Sequence, residues 1–151
     1  MSGIRFTGLT GKGLAALLRE ADEEGRRAAF ATMREETATI MKISQDQAPY
    51  EDGQLEAAHK LVIRRNQSLK ATYAIEVGGI VSGVNVDEYC EIIHEGIGWS
   101  KLGEESIAKQ GRVAPLIVGT HFLTRAFDDR IAITIKRIQD AMTRGVLHRV
   151  G

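Results

Sequence analysis

Over the first third of the chain, apolar and small residues recur every three or four positions: Leu14, Leu18, Ala21, Gly25, Ala29, Met33, Thr37, Ile40, Ser44 and Ala48. Arg19, Glu20, Glu23, Arg26, Arg27, Arg34, Glu35 and Lys42 fill the opposite side. This spacing predicts a helical region from about Lys12 to about Gln47. A straight helix of that length would span roughly 50 Å. A compact fold of this chain length is only about 40 Å across. The region therefore either kinks, with Gly25 as the natural hinge, or projects beyond its own domain and needs a neighbouring subunit to cover its apolar stripe. Before it, Ile4 to Leu9 alternates weakly, as a short strand would.

After the helix the period changes. Ala48-Pro49-Tyr50-Glu51-Asp52-Gly53 is a stop: Pro49 turns Ala48 away from helical angles, and Asp52-Gly53 is turn chemistry. Leu61–Arg65 and Ala71–Val77 read as the two strands of a hairpin, rich in β-branched and aromatic residues. Gly78-Gly79 turns the chain again, and Ile80–Val84 is a candidate third strand. Tyr89–Glu95 is a fourth strand or a short helix; so short an apolar run fits both. From Gly96 to Gly119 the pattern becomes irregular, with room for a short helix between Ser100 and Gln110. A loop of that length is commonly functional or ordered by a partner. Thr120 is then a candidate N-cap, and Leu123, Phe127, Ile131, Ile135, Ile138 and Met142 define a final helix. The ends, 1–11 and 144–151, are expected to be frayed or ordered by a partner. The order predicts an α+β fold in a single domain, 1–151: a long N-terminal helical region, an antiparallel sheet of three to four strands, a long loop, and a C-terminal helix packed on the sheet.

Composition narrows the function. Lys plus Arg number 20 and Asp plus Glu number 20, so the formal net charge is zero. A protein whose task is to grip phosphate backbone carries a basic excess, which weighs against a nucleic-acid-binding regulator. Arg64, Arg65 and Lys70 form the best basic patch, and there solvated edge-strand charge is the simpler role. The N-terminal sequence lacks the apolar run of a signal peptide or a membrane span. Cys90 is the only cysteine, which excludes an internal disulfide.

Candidate chemistry is sparse. Cys90 and His94 would share one face of a helix and could form a nucleophile–base pair, but no orienting group or oxyanion donor is evident. His59, His94, His121 and His148 lack the short pairings of zinc sites. Gly8-Leu9-Thr10-Gly11-Lys12-Gly13 fails the spacing of a phosphate-binding loop. Trp99, among glycines, is either a loop anchor on its own domain or an interface anchor.

Three segments stand out together: Ala48-Pro49-Tyr50-Glu51-Asp52-Gly53-Gln54-Leu55 closing the first helix, Tyr89-Cys90-Glu91-Ile92-Ile93-His94-Glu95-Gly96, and Gly119-Thr120-His121-Phe122-Leu123-Thr124-Arg125-Ala126 opening the last. In this order and spacing the chain resembles the neck, or tail-completion, proteins of tailed bacteriophages, from about Lys12 to Met142. Asp52 departs from the usual Thr and His121 from the usual Pro. The resemblance places its fold motif on Ala48, Pro49, Asp52, Gly53, Leu55, Phe122, Leu123 and Ala126. It implies a non-catalytic structural subunit in the virion neck, made in the bacterial cytoplasm. Such a subunit joins a homo-oligomeric ring, hexameric first and dodecameric second, between the head connector or adaptor and the tail terminator or tail-tube protein. DNA passes through the lumen without sequence-specific binding, and no cofactor, metal or membrane is involved. A tail terminator ring is the alternative within that class, and a small Cys/His enzyme the alternative outside it. On this reading the 96–119 segment is the assembly surface. Ile97, Trp99, Leu102, Ile107 and Leu116 supply apolar contact there, and Lys101, Glu104, Glu105 and Arg112 supply intersubunit charge.

Overall fold

Asp22 decides where the first described helix begins. Its backbone is extended and its Oδ1 accepts the Gly25 N–H at 2.7 Å, satisfying one of the orphan donors of the first turn. Helix α1 then runs Glu23–Gln47, 25 residues and about 37 Å, with Glu23 and Glu24 favourably placed at its positive end. The computed structural model describes residues 4–7, 21–50, 53–65, 71–96 and 102–150. Within the helical region expected from Lys12 to Gln47, Ala21 and Asp22 are not helical, Gly25 sits in the first turn of α1 rather than at a kink, and residues 12–20 lie outside those described.

The remaining elements are α2 (Gln54–Ala57), α3 (Cys90–Glu95), α4 (Glu104–Val113) and α5 (Phe122–Val150), with strands β1 (Ile4–Thr7), β2 (His59–Arg65), β3 (Ala71–Val77), β4 (Ile80–Val81) and β5 (Val84–Asn85). The fold is α+β. Strands β1, β3 and β2 form an antiparallel sheet in that order, with β3 in the centre. The hairpin pairs His59 with Val77 and Ile63 with Tyr73, so His59, Leu61, Ile63, Tyr73, Ile75 and Val77 share one face.

Three expectations are revised and one open alternative is decided. The single strand at Ile80–Val84 is instead a separate two-stranded ribbon, β4–β5; Ser82 and Gly83, with φ of 50° and 80°, fold the chain back on itself, the left-handed pair that tight hairpins require. Of the two readings left open for Tyr89–Glu95 the short helix is the one found: α3 covers Cys90–Glu95 and Gly96 (φ 74°) caps it. A Cβ there would stand 2.9 Å from Thr120 Cγ2, so both the positive φ and the close approach call for glycine. Thr120 is not the N-cap of α5: the first helical hydrogen bond runs from Arg125 N to His121 O, and His121 takes a φ of 54°. At the other end the backbone stays helical to Val150.

Helices α1 and α5 make the most extensive contact in the fold and run antiparallel: Gly25 lies against Met142, Glu36 against Thr134 and Gln47 against Asp129. Ala29, Met33, Tyr73, Ile138 and Met142 pack together at one end. A larger core at the other end gathers Ile40, Ala48, Leu55, Ile75, Val77, Val86, Cys90, Phe122, Leu123 and Ala126. Burying each large side chain, such as Phe122 or Leu123, contributes roughly 1.5–3 kcal/mol. The α5 stripe is rotated from its expected phase. Thr134 is fully buried whereas Ile135 is 38% exposed, because Arg130, Thr134 and Arg137 all turn toward Glu36. No helix among the described residues is long and apolar enough to cross a membrane.

Candidate functional site

Pro49 stops α1, but the carbonyls at that end need donors from elsewhere. The 102–119 segment supplies them. The Lys109 ammonium donates to Gln45 O and to Ala48 O, each at 2.6 Å, and pairs with the Glu56 carboxylate. A cation on these carbonyls also meets the negative end of the helix dipole. Lys109 is only 3% exposed, so three acceptors offset the desolvation of its charge. Ser106, one turn earlier, accepts the Tyr50 N–H at 2.9 Å and donates to Tyr50 O at 3.0 Å. Gln110 then holds the chain beyond α4, donating to Leu116 O and accepting from Val118 N. The Gly119 N–H donates to Gln47 O at 2.9 Å.

Helix α4 therefore packs on the body through polar side chains, Ser106, Lys109 and Gln110. Its outer face holds Glu104, Glu105, Ile107, Ala108, Gly111 and Arg112, all exposed. The short helix allowed between Ser100 and Gln110 is α4, which runs on to Val113. Of the candidate assembly residues, Glu104, Glu105, Ile107 and Arg112 share the outer face, while Leu102 and Leu116 are half-buried against the body. Ile97, Trp99 and Lys101 lie outside the described residues, as does Asp52. Ile117, not singled out by the sequence pattern, is 64% exposed just beyond α4.

The three segments singled out in the sequence meet at this end of α1. Ala48, Leu55, Cys90, Phe122, Leu123 and Ala126 belong to one core, and Pro49 is buried beside it. Gly53 takes a φ of 81° at the start of α2. The His121 N–H donates to His94 O at 2.7 Å, tying the second segment to the third.

The residues weighed for chemistry are drawn into the same core. Cys90 is fully buried, with its Sγ 3.7 Å from Val77 O. His94, one turn on, is also buried. Its Nδ1 meets Glu95 Oε1 at 3.0 Å, and its ring stands edge-on to Phe122 at 5.0 Å. The other ring nitrogen is buried and has no hydrogen-bond partner among the described residues. His121 lies on the far side of the Glu95 carboxylate, 3.6 Å away. His59 is locked between Ser44 Oγ and Leu55 O, each at 2.9 Å. Since Leu55 O only accepts, Nδ1 carries the proton and Nε2 accepts from Ser44. Burial pushes the His59 pKa down to about 4, so the ring is neutral near pH 7. Among the described residues no three His, Cys, Asp or Glu side chains come together as a metal site. Of the basic patch, Arg64 is exposed on β2, the backbone of Arg65 ends that strand, and Lys70 lies outside the described residues. The Gly8–Gly13 motif also lies outside them.

Sequence reasoning missed Glu36, Lys109, Ser106 and Gln110. Glu36 did carry a signal, since it falls in the apolar phase between Met33 and Ile40. The partners on α4 carried none.

In comparisons with known proteins, no family model matches the chain, and neither a curated protein nor a solved structure matches it.

Proposed function

We propose that the chain is a structural ring subunit of the neck of a tailed bacteriophage, joining head connector to tail around the DNA channel. The observation that carries this reading is the convergence of the three resemblance segments. They lie far apart in sequence, yet they form one junction at the end of α1, where their core residues pack together. The second segment forms helix α3 and its cap, and takes its place in the junction.

Two further features support the reading. The 102–119 segment spends its inward polar groups on fastening α1 and presents Ile107 and Ile117 outward. Such a rigid, partly apolar outer surface suits subunit contact. The formal net charge of zero suits a wall that DNA slides past rather than one that binds it. The role needs no catalytic residue, and Cys90 and His94 serve the core. Head-to-tail contacts close into a ring when the rotation permits.

Native mass spectrometry and electron microscopy of the purified protein, alone and with head-connector and tail-tube proteins, test this. A closed ring of six subunits, or twelve, is expected. A strict monomer in every mixture would sink the proposal.

A further inference from the structure

We propose that the outer face of α4 is a two-fold docking surface for a second copy of this chain, with the two α4 helices antiparallel. Three observations point to it. First, the helix is inverted relative to an ordinary surface helix: Ser106, Lys109 and Gln110 face the body, and Ile107 is 59% exposed. Second, a Cβ on Gly111 would meet nothing within 4 Å among the described residues. Glycine inside a helix costs about 1 kcal/mol relative to alanine, and no internal contact requires it here. With Ala108 three positions earlier, it leaves a flat strip on which another helix can approach closely.

The third observation selects the occupant. Glu105 and Arg112 are both exposed and lie seven positions apart, which places them on the same edge of the helix, two turns from one another. A two-fold axis across the middle of α4 reverses the partner helix. It keeps each edge facing its own copy. Glu105 of one copy then meets Arg112 of the other, twice, with Ala108 and Ile107 near the axis. The face is complementary in charge to itself only in this antiparallel arrangement. In a parallel pair the symmetry sets each edge against the opposite edge of the partner, so Glu105 and Arg112 would face the edge that carries Ile107 and the charge pairing would be lost. This two-fold contact is separate from head-to-tail contacts, which use two different patches per subunit.

Helix α4 has 10 residues and extends about 15 Å. Its contact is therefore smaller than the roughly 1,200 Å² of standard stable complexes, and a single pair should dissociate on the order of 100 μM. Sedimentation velocity of the full chain from about 10 μM to about 1 mM tests the proposal. Whatever the species at the dilute end, its mass should double across the series. Arg112→Glu or Glu105→Arg alone should weaken the doubling at least about tenfold, since each turns two attractive pairs into repulsive ones. Glu105→Arg with Arg112→Glu restores both pairs and should restore it. Circular dichroism should match the parent in all three variants, since both residues are exposed. No doubling, or doubling that is indifferent to the single reversals or not rescued by the double one, would overturn the α4 contact. A closed ring that persists in every variant without doubling would overturn it too, and would leave the ring reading intact.

Discussion

The carboxylate of Glu36 on α1 grips the guanidinium of Arg130 on α5 with both oxygens, at 2.9 Å from Nε and 3.0 Å from Nη2. Thr134 Oγ1 donates to the same carboxylate at 2.8 Å, and Arg137 closes on its other side. Glu36 is fully buried. The Arg130 hydrogen bond, aided by Thr134 and Arg137, outweighs burial and holds its pKa at about 2. Such a cluster fixes the register of two long helices whose small-residue faces could otherwise slide.

Removing Arg130 leaves that carboxylate underpaired in the core, whereas Arg137 is nearly half exposed and its loss leaves the forked bond intact. Arg130→Ala should therefore cost about 3 kcal/mol and Arg137→Ala under about 1 kcal/mol. Urea unfolding measures both. Equal costs would show that Arg137, not the fork, holds Glu36.

Acid should destabilise the fold in two windows. The His59 pKa falls from 6.5 to about 4 on folding, so the unfolded chain binds the extra proton there. Stability is fully present above about pH 6.5 and is lost as pH falls toward 4. The Glu36 pKa falls from 4.5 to about 2, and its contribution is lost between those values. Each amounts to about 3 kcal/mol at most. Thermal unfolding against pH should show a slope from pH 6.5 down that His59→Gln flattens. A flat profile above pH 5 in the parent would contradict the first window.

Lys109→Met keeps the apolar stem but removes the donor to Gln45 O, Ala48 O and Glu56. We expect a loss of about 2–4 kcal/mol. Hydrogen exchange should rise first across α4 and the last turn of α1, and less in β3. Uniform loss of protection would mean that α4 is not a separately tethered unit.

Burial should protect the Cys90 thiol. It is fully enclosed and directed at Val77 O, so a thiol reagent should label it only through global unfolding. Labelling in the native state at a rate independent of urea would contradict that burial and reopen a reactive role for the residue.

Much of the fold was legible in the sequence because it follows from period. The spacing of Ala29, Met33, Thr37, Ile40 and Ser44 marks the inner face of α1, and all of these are buried. The β-branched runs mark β2 and β3, and Pro49 marks the end of α1. Two things lay beyond it. The phase of α5 depends on Thr134, not Ile135, because buried charge on α1 outranks an isoleucine in choosing the face. The boundary at Asp22 was hidden because small residues keep the helical period on both sides of it.

The site was least legible. Ser106, Lys109 and Gln110 look like a solvated helix face when read alone. They become an inner face only because α1 ends there with carbonyls that need donors. Chain periodicity is a local property and dictated α1, the hairpin and α5. Which polar groups become partners depends on atoms 60 or 90 residues apart meeting in space, and only the tertiary structure decides that.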